Sequence, residues 1–488
     1  MVSSLLLQMC TIISGFIIPR IILSYFGSDV NGLVSSINQF LSYIALVEGG
    51  ITGVIAANLY GPIVANDQIK LSSVLTTSKR FFHTVGVIFI AYSILLGILY
   101  PVLMHLDFRY TFLLTLILSI NLFVQYMFSI TLKTLLNADK KIYVVSFTQI
   151  IIIICNILLV YLSVRVYPSI HVVKLISGLL YILQPVVFNA YVRKHYTIDW
   201  KAPYDNNLIK QRWNGFAINL AAFIHNSTDI TVLTIFSTLA SVSVYSVYVL
   251  VTNGLKTLIQ SFASGLNPTI GHAYAKKDWA DLNRKLDLYE YIVLLITFFL
   301  FSMAGLLITP FVSLYTKGIN DAQYSQPLFG YLIVIAEGLY LIKLPHLNLA
   351  YSANRFREIT VPAFVEAAIN ILISVLLVGR LGLVGVAVGT ICGMLYRMAF
   401  HVAFTRKIIP DRGQMIFYRK LFLFSIAAII GIAICRFTVR FEMTSFGWWM
   451  LGAVLYGFVL LLAFGALSML YFRQELTFFR AYLFKRSK

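Results

Sequence analysis

The chain has 488 residues, of which 59% are hydrophobic and 12% charged, and its mean hydropathy is +0.84. This composition excludes an ordinary water-soluble domain and indicates an integral membrane protein. The formal net charge of +19 falls mainly in loops that would face anionic lipid, so it gives no reason to infer nucleic-acid binding.

Apolar runs long enough to cross a hydrocarbon core of roughly 30 Å recur along the whole chain. We expect an all-α polytopic protein with about fourteen transmembrane helices. The first begins near Met1 without a basic leading segment, so we interpret it as a retained helix. The predicted spans are residues 3–26, 33–59, 81–104, 110–135, 142–164, 170–192, 213–237, 241–267, 288–312, 325–350, 360–378, 382–404, 418–437 and 446–472.

The four cysteines and the loop charges narrow the possibilities further. Cys10, Cys155, Cys392 and Cys435 all lie inside predicted spans without metal-binding spacing, so we expect packing roles and neither a metal site nor a cofactor. Lys and Arg are concentrated in alternate loops, which predicts a multi-pass protein with both termini in the cytoplasm.

The sequence repeats itself at an offset of about 210 residues. GPIVANDQIKLSSVL, from Gly61, resembles GHAYAKKDWADLNRKL, from Gly271, and LLNADKKIYVV, from Leu135, resembles LAYSANRFREITV, from Leu349. Because six helices per copy give both copies the same orientation, we expect two six-helix bundles related by an axis along the membrane normal. The predicted domains are an N-terminal bundle (1–195), a cytoplasmic connector (196–212), a C-terminal bundle (213–408) and two further helices with a basic tail (409–488).

The stretch IPRIILSYFGSDVNGLVSSINQFLSYIALVEGGI, followed by LYGPIVANDQIKLSSVL, resembles Wzx-type polysaccharide flippases. These belong to the multidrug/oligosaccharidyl-lipid/polysaccharide exporter superfamily, and the resemblance is strongest to Gram-positive members such as the teichoic acid repeat-unit flippase. It implies a MATE/MurJ-like fold in the bacterial plasma membrane. It also implies that a polyprenyl-linked oligosaccharide or teichoic acid precursor is flipped for cell-wall or capsule biosynthesis. A coupling ion, H⁺ or Na⁺, is left open.

Charged side chains inside the spans mark the candidate functional positions, since each costs ~2.5 to over ~10 kcal/mol at mid-bilayer unless it faces an interior or a wet cavity. At the repeat offset, Asp229 falls beside Arg20, and Glu48 falls within one turn of Lys256. Equivalent positions therefore carry opposite charges. The full set of intramembrane charges is Arg20, Glu48, Lys133, Asp229, Lys256, Glu337, Lys343, Glu366 and Arg397.

We expect a substrate cavity between the two bundles. Arg20 and Lys256 would bind the phosphate of a lipid headgroup, although simple snorkelling of Arg20 to the surface is the alternative. Pro19 frees a backbone carbonyl and, with Gly15, would form a hinge. The residues predicted to line the cavity are Arg20, Glu48, Asp229, Lys256, Asn253 and Gln260.

Other intramembrane polar residues are predicted to be structural. Lys343 and Glu366 lie at similar depth on adjacent antiparallel helices, which predicts an ion pair that Arg397 would join. Glu337 has no evident partner and would be neutral or paired across the cavity. Asn219 and His225, on the seventh span, would offer hydrogen bonds to sugars, or for His225 to its own core.

Two other functions stay open. A cation-coupled multidrug antiporter of the same superfamily would use Asp229 and Glu48, but so many intramembrane cations would not suit cationic drugs. A membrane glycosyltransferase or polymerase is disfavoured because the predicted outer loops are short and no DxD, HExxH, GxSxG or Walker pattern occurs. We therefore predict a transporter and not an enzyme.

Overall fold

The computed structural model describes residues 2–48, 50–205, 213–438 and 441–478, and every regular element in that part of the chain is a helix. The chain forms two compact units, Met1–Ile235 and Phe236–Lys488. Part of the predicted connector (206–212), most of the basic tail and the side chains of Asn219 and His225 lie outside the described residues.

The first unit is a bundle in which α7 packs along α1, and α5 packs against both α4 and α8. A 3₁₀ turn joins α1 to α2, and a π-helical turn, Gln125–Ser129, joins α5 to α6. The last helix, α10, ends one residue into the second unit. In chain order the helices are α1 (Val2–Leu41), α2 (Ala45–Glu48), α3 (Ile51–Val64), α4 (Gln68–Leu103), α5 (Phe108–Val124), α6 (Ile130–Ala138), α7 (Ile142–Val166), α8 (Ile170–Leu180), α9 (Leu183–His195) and α10 (Trp213–Phe236).

An aromatic core in the second unit lies where the last two helices pack against α12, around Tyr291, Phe424 and Phe464. Burial of these large rings fastens the two C-terminal helices to the unit. Another extensive contact in this unit joins α15 to α16. In chain order the helices are α11 (Leu239–Ala275), α12 (Trp279–Tyr315), α13 (Pro327–Ile342), α14 (Leu344–Ser352), α15 (Phe356–Leu381), α16 (Leu383–Thr405), α17 (Met415–Thr438) and α18 (Phe446–Tyr471).

The described residues contain 12 segments that are long and apolar enough to cross a membrane. The all-helical membrane fold predicted from the sequence is thereby confirmed. The second predicted span is not a separate span in the structure. Its first part continues the long segment that includes α1, which runs through Gly27 (φ 80, ψ −179) and extends to Glu48, and the rest falls in α3, which has only 14 residues. The seventh predicted span coincides with α10.

The backbone repeats at the offset that the sequence predicts. Asp67 caps the N-terminus of α4 through its side chain, and Asp278 caps α12 in the same way. The residue before each cap, Asn66 in one case and Lys277 in the other, has a left-handed backbone with φ of 52° and 57°. A left-handed residue followed by an Asp cap is thus the shared corner between the second and third helices of each copy.

The fourth membrane helix of each copy is interrupted at the same place. In the first copy the helix widens into the π turn Gln125–Ser129. In the second copy α13 gives way to α14 at Lys343, which follows Ser129 by the same interval that separates Lys140 from Asn354, the left-handed residues beyond the two helices. Such interruptions are common at functional sites of membrane proteins.

Candidate functional site

Glu48 lies where the second membrane helix breaks. Gly50 adopts the left-handed conformation (φ 78, ψ 12), which turns the chain so that α3 begins at Ile51. The half-buried carboxylate of Glu48 accepts hydrogen bonds from the hydroxyls of Thr52 and Tyr126, the second at 3.3 Å. Within the described part of the chain no basic side chain forms an ion pair with Glu48. Among the described residues of the first unit, the acid is thus held by hydroxyl groups.

Lys256 lies on α11 and faces α13. Its Nζ donates to Oε2 of Glu337 at 2.8 Å, and the two side chains are 12% and 10% exposed. The same ammonium lies 5.0 Å from the ring centroid of Tyr340, and the amide of Gln260, one turn further along α11, reaches the Tyr340 hydroxyl at 3.5 Å. Asn253, one turn earlier, is exposed. Glu337, which has no evident partner in the sequence, is thus the partner of Lys256.

Tyr126 and Tyr340 occupy equivalent positions in the repeat, each at the interruption of a fourth helix. Tyr126 donates its hydroxyl to the carboxylate of Glu48, whereas Tyr340 offers its ring to the ammonium of Lys256. A phenol can do both, because its hydroxyl is a donor and its ring face is negative. A tyrosine therefore contacts a carboxylate in the first unit and an ammonium at the equivalent position in the second.

A second ion pair lies deeper in the second unit. Glu366 on α15 is fully buried and pairs with Arg397 on α16. The two helices approach closely because Gly393 has no side chain, and a Cβ there would lie 3.0 Å from the backbone oxygen of Glu366. Arg397, one turn beyond Gly393, therefore reaches the carboxylate that the sequence predicts as a partner of Lys343.

Lys343 has a different environment from the predicted ion pair. Its side chain is fully buried at the junction of α13 and α14, with Nζ 4.1 Å from the ring centroid of Tyr340 and 3.5 Å from the sulfur of Met394. Among the described residues, no carboxylate forms an ion pair with it. Three basic side chains, Lys256, Lys343 and Arg397, and two carboxylates, Glu337 and Glu366, thus share this part of the second unit.

The remaining predicted cavity residues lie in the first unit. Arg20 is half-buried on α1, and Asp229 is 6% exposed on α10. Pro19 keeps helical dihedral angles, and the residue of α1 that departs from them is Gly27. The hinge role of Pro19 and Gly15 stays a prediction.

The second unit contains a buried ion cluster that the sequence did not predict. Arg412, in the loop after α16, lies 2.8 Å from Asp287 and 2.7 Å from Glu290 on α12, and Lys420 of α17 lies 3.0 Å from Glu290. His346 of α14 approaches Glu290 at 3.5 Å. Because the acids lie at the edge of the predicted ninth span, they are easily taken for loop charges, although their spacing of three residues shows that they share a helix face.

The same cluster perturbs Arg412, which is 4% exposed. Burial alone lowers its pKa, but the carboxylates of Glu290 and Asp287 outweigh burial, so the pKa of Arg412 lies above its ordinary value. With two acids and two bases the cluster is balanced. It joins the loop and α17 to α12. Each of its four charges has a partner of opposite sign within the cluster, so we assign it a structural role.

Comparisons with known proteins agree with this architecture. The family model described as lipid II flippase MurJ matches residues 67–458. A solved lipid II flippase MurJ in an inward closed conformation has a TM-score of 0.69 and 15% identity, over 96% of this chain and 99% of that chain. An inward-facing multidrug resistance MATE family transporter of the MOP superfamily has a TM-score of 0.63 and 14% identity, over 82% and 96%. No curated protein matches the chain.

The structural likeness, at such low identity, shows the fold, and it is the MATE/MurJ-like fold that the resemblance implies. The solved MATE multidrug transporter DinF-BH shares it, with a TM-score of 0.62 and 13% identity over 84% of this chain and 95% of that chain. The family match covers most of the chain and confirms the predicted superfamily, without adding support for the Wzx type within it. This chain belongs to the lipid II flippase MurJ family, so it is a flippase for a lipid-linked substrate and not an enzyme.

Proposed function

We propose that this protein moves a polyprenyl-(pyro)phosphate-linked oligosaccharide or teichoic acid repeat unit from the cytoplasmic to the outer leaflet of a bacterial plasma membrane. Two bundles, residues 1–195 and 213–408, would give alternating access to one site. The observation that carries the proposal is the ammonium of Lys256, which is 12% exposed inside a membrane-spanning helix and lies against the ring of Tyr340, as Lys343 also does. Such a site attracts the phosphate of a lipid headgroup.

Arg20 and Lys256 are the proposed phosphate ligands. A guanidinium binds phosphate through two parallel hydrogen bonds, and an ammonium binds it as a point charge. Because Glu337 already holds Lys256 at 2.8 Å, the headgroup would compete with this carboxylate for the ammonium.

Lipid II is the second candidate substrate. The family model that matches most of the chain carries its name. A transport assay distinguishes the two candidates. Purified protein in proteoliposomes is given fluorescent lipid II, another polyprenyl-pyrophosphate oligosaccharide or a polyprenyl-linked teichoic acid unit, and the rate at which each is flipped is measured. Preference for lipid II would overturn the first proposal, and extrusion of a cationic dye alone would show an antiporter instead.

Arg20→Gln and Lys256→Gln test the site in a strain that lacks its flippase. We expect each variant to reach the membrane at normal levels and to fail in complementation. Lys276→Gln, at the exposed end of α11, removes the same charge away from the site and should complement fully. Full complementation by both site variants would remove Arg20 and Lys256 from the mechanism.

A further inference from the structure

The segment after α9 is fastened along the first turns of α4. Hydroxyl groups on successive turns of α4 contact its backbone. The shortest contacts join the amide of Asp199 to Ser72 Oγ (3.0 Å), Ser73 Oγ to the carbonyl of Pro203 (2.8 Å) and the amide of Asp205 to Thr77 Oγ1 (3.0 Å). Because its backbone is held at several points, the segment presents Trp200 and Tyr204 to α4 in fixed positions.

Trp200 and Tyr204 form one wall of a cavity of about 810 Å³, and α4 forms the other. Lys79 Nζ lies 4.7 Å from the indole centroid of Trp200, and the guanidinium carbon of Arg80 lies 5.7 Å from the ring centroid of Tyr204. His83, Thr84 and Val87 continue the α4 wall. The cavity is therefore lined by basic and aromatic groups.

The two cations are available to a ligand. In the part of the chain that the structure describes, neither Lys79 nor Arg80 forms an ion pair with a carboxylate. Each cation lies against one aromatic ring, which leaves N–H groups directed elsewhere. A cavity with two unneutralised cations and no acid among its lining residues fits an anion, and phosphate oxygens accept from both types of side chain.

The position of the cavity along α4 identifies the anion as a lipid. The 36 residues of α4 extend over about 54 Å, so its first turns project beyond a hydrocarbon core of roughly 30 Å. Lys79 and Arg80 lie just before the apolar stretch of α4, at the level of lipid headgroups, where Trp and Tyr are enriched. Below the cavity, Val87, Ile90 and Ile94 are 56%, 41% and 42% exposed along one helix face. This face is apolar and exposed, as contact with acyl chains requires.

We propose that this cavity binds the headgroup of an anionic glycerophospholipid from the surrounding leaflet. The phosphate would lie between Lys79 and Arg80, and the acyl chains would follow the face from Val87 to Ile94. A lipid bound there contacts both α4 and Trp200, so it stabilises the attachment of the segment after α9 to α4. This site is separate from the proposed substrate site and does not depend on the substrate.

The full-length protein in nanodiscs of phosphatidylglycerol and phosphatidylcholine tests the proposal, with retained lipid counted by native mass spectrometry. We expect wild type to retain phosphatidylglycerol selectively, and Lys79→Gln with Arg80→Gln to lower its retention about tenfold or more. The control, Lys276→Gln with Lys277→Gln, removes the same charge at the exposed end of α11 and should retain the lipid as wild type does. Equal losses in both double variants would overturn the site, because they would show only bulk attraction.

Thr84→Trp separates a built site from a basic surface, because it fills the cavity and leaves both cations in place. We expect it to lose phosphatidylglycerol as the double variant does. Undiminished retention in this variant would overturn the proposal. Displacement of the lipid by millimolar inorganic phosphate would also overturn it, because the site would then bind a soluble anion. So would displacement of the lipid by polyprenyl phosphate at concentrations at which added phosphatidylglycerol displaces none. An unchanged thermal unfolding temperature in detergent serves as the folding check.

Discussion

Lys256 and Glu337 form an ion pair of 2.8 Å between α11 and α13, and each side chain is about nine-tenths buried. The pair changes the interpretation of both residues, because the ammonium that we propose as a phosphate ligand already has a carboxylate partner. A transporter in which an internal carboxylate and the substrate compete for one cation can release the substrate again. If Lys256 binds the headgroup as we propose, this competition would keep the site from trapping its substrate.

Replacement of one partner should destabilise the protein more than replacement of both. We expect Lys256→Met or Glu337→Leu to lower the free energy of unfolding by about 3 kcal/mol, since each leaves a charge without its partner. The double variant should lie closer to wild type than either single variant. Denaturation in detergent, followed by tryptophan fluorescence, gives the double-mutant cycle. Additive single effects would show that the two groups do not interact.

Substitutions at the equivalent residues Tyr126 and Tyr340 should separate the contribution of the hydroxyl group from that of the aromatic ring. Tyr126→Phe removes a donor to Glu48 and should cost about 1.5–3 kcal/mol of stability, as expected for a hydrogen bond to a charged group. Tyr340→Phe keeps the ring face, so its coupling with Lys256→Met should be near zero. Tyr340→Leu removes the ring and should show coupling of about 0.5–2 kcal/mol with the same substitution. Equal coupling for Phe and Leu would rule out the ring contact.

The close approach of α15 and α16 should depend on Gly389. A Cβ there would meet Ser374 Oγ and lie 2.8 Å from the backbone oxygen of Asn370, so Gly389→Ala should push the helices apart and lower stability by about 1–3 kcal/mol. Gly379→Ala is the matched control, because nothing lies within 4 Å of the position that its Cβ would take. It should be neutral or stabilising. Thermal unfolding of the two variants in the same detergent compares them, and equal effects would contradict the packing argument.

Arg412 should be needed at every ordinary pH. Its folded-state pKa is raised, so its stabilising contribution is present at all pH values below its ordinary pKa. Arg412→Met removes one of the two cations that pair with Asp287 and Glu290 and should cost about 3–5 kcal/mol at pH 7. The deficit should shrink when Asp287→Asn removes one of the opposing charges. An equal deficit in that background would show that packing, and not charge, is lost.

The membrane class, the helical fold and the internal repeat could all be predicted, because each depends on local composition and spacing in the sequence. Apolar length sets what can cross a bilayer, and a repeated corner such as Asn66–Asp67 and Lys277–Asp278 leaves a mark in the sequence. The opposite charges of Glu48 and Lys256 were visible for the same reason. These properties depend on composition and spacing, which the linear sequence contains.

Only the tertiary structure decided which charges are partners. Lys256 and Glu337 are 81 residues apart, and Glu366 pairs with Arg397 because Gly393 brings their helices together. Likewise, the carboxylate of Glu48 accepts from Tyr126, 78 residues further along the chain. Hydropathy and spacing place a residue at a depth in the membrane, but the rotation and approach of each helix select its neighbour, and these are set by packing.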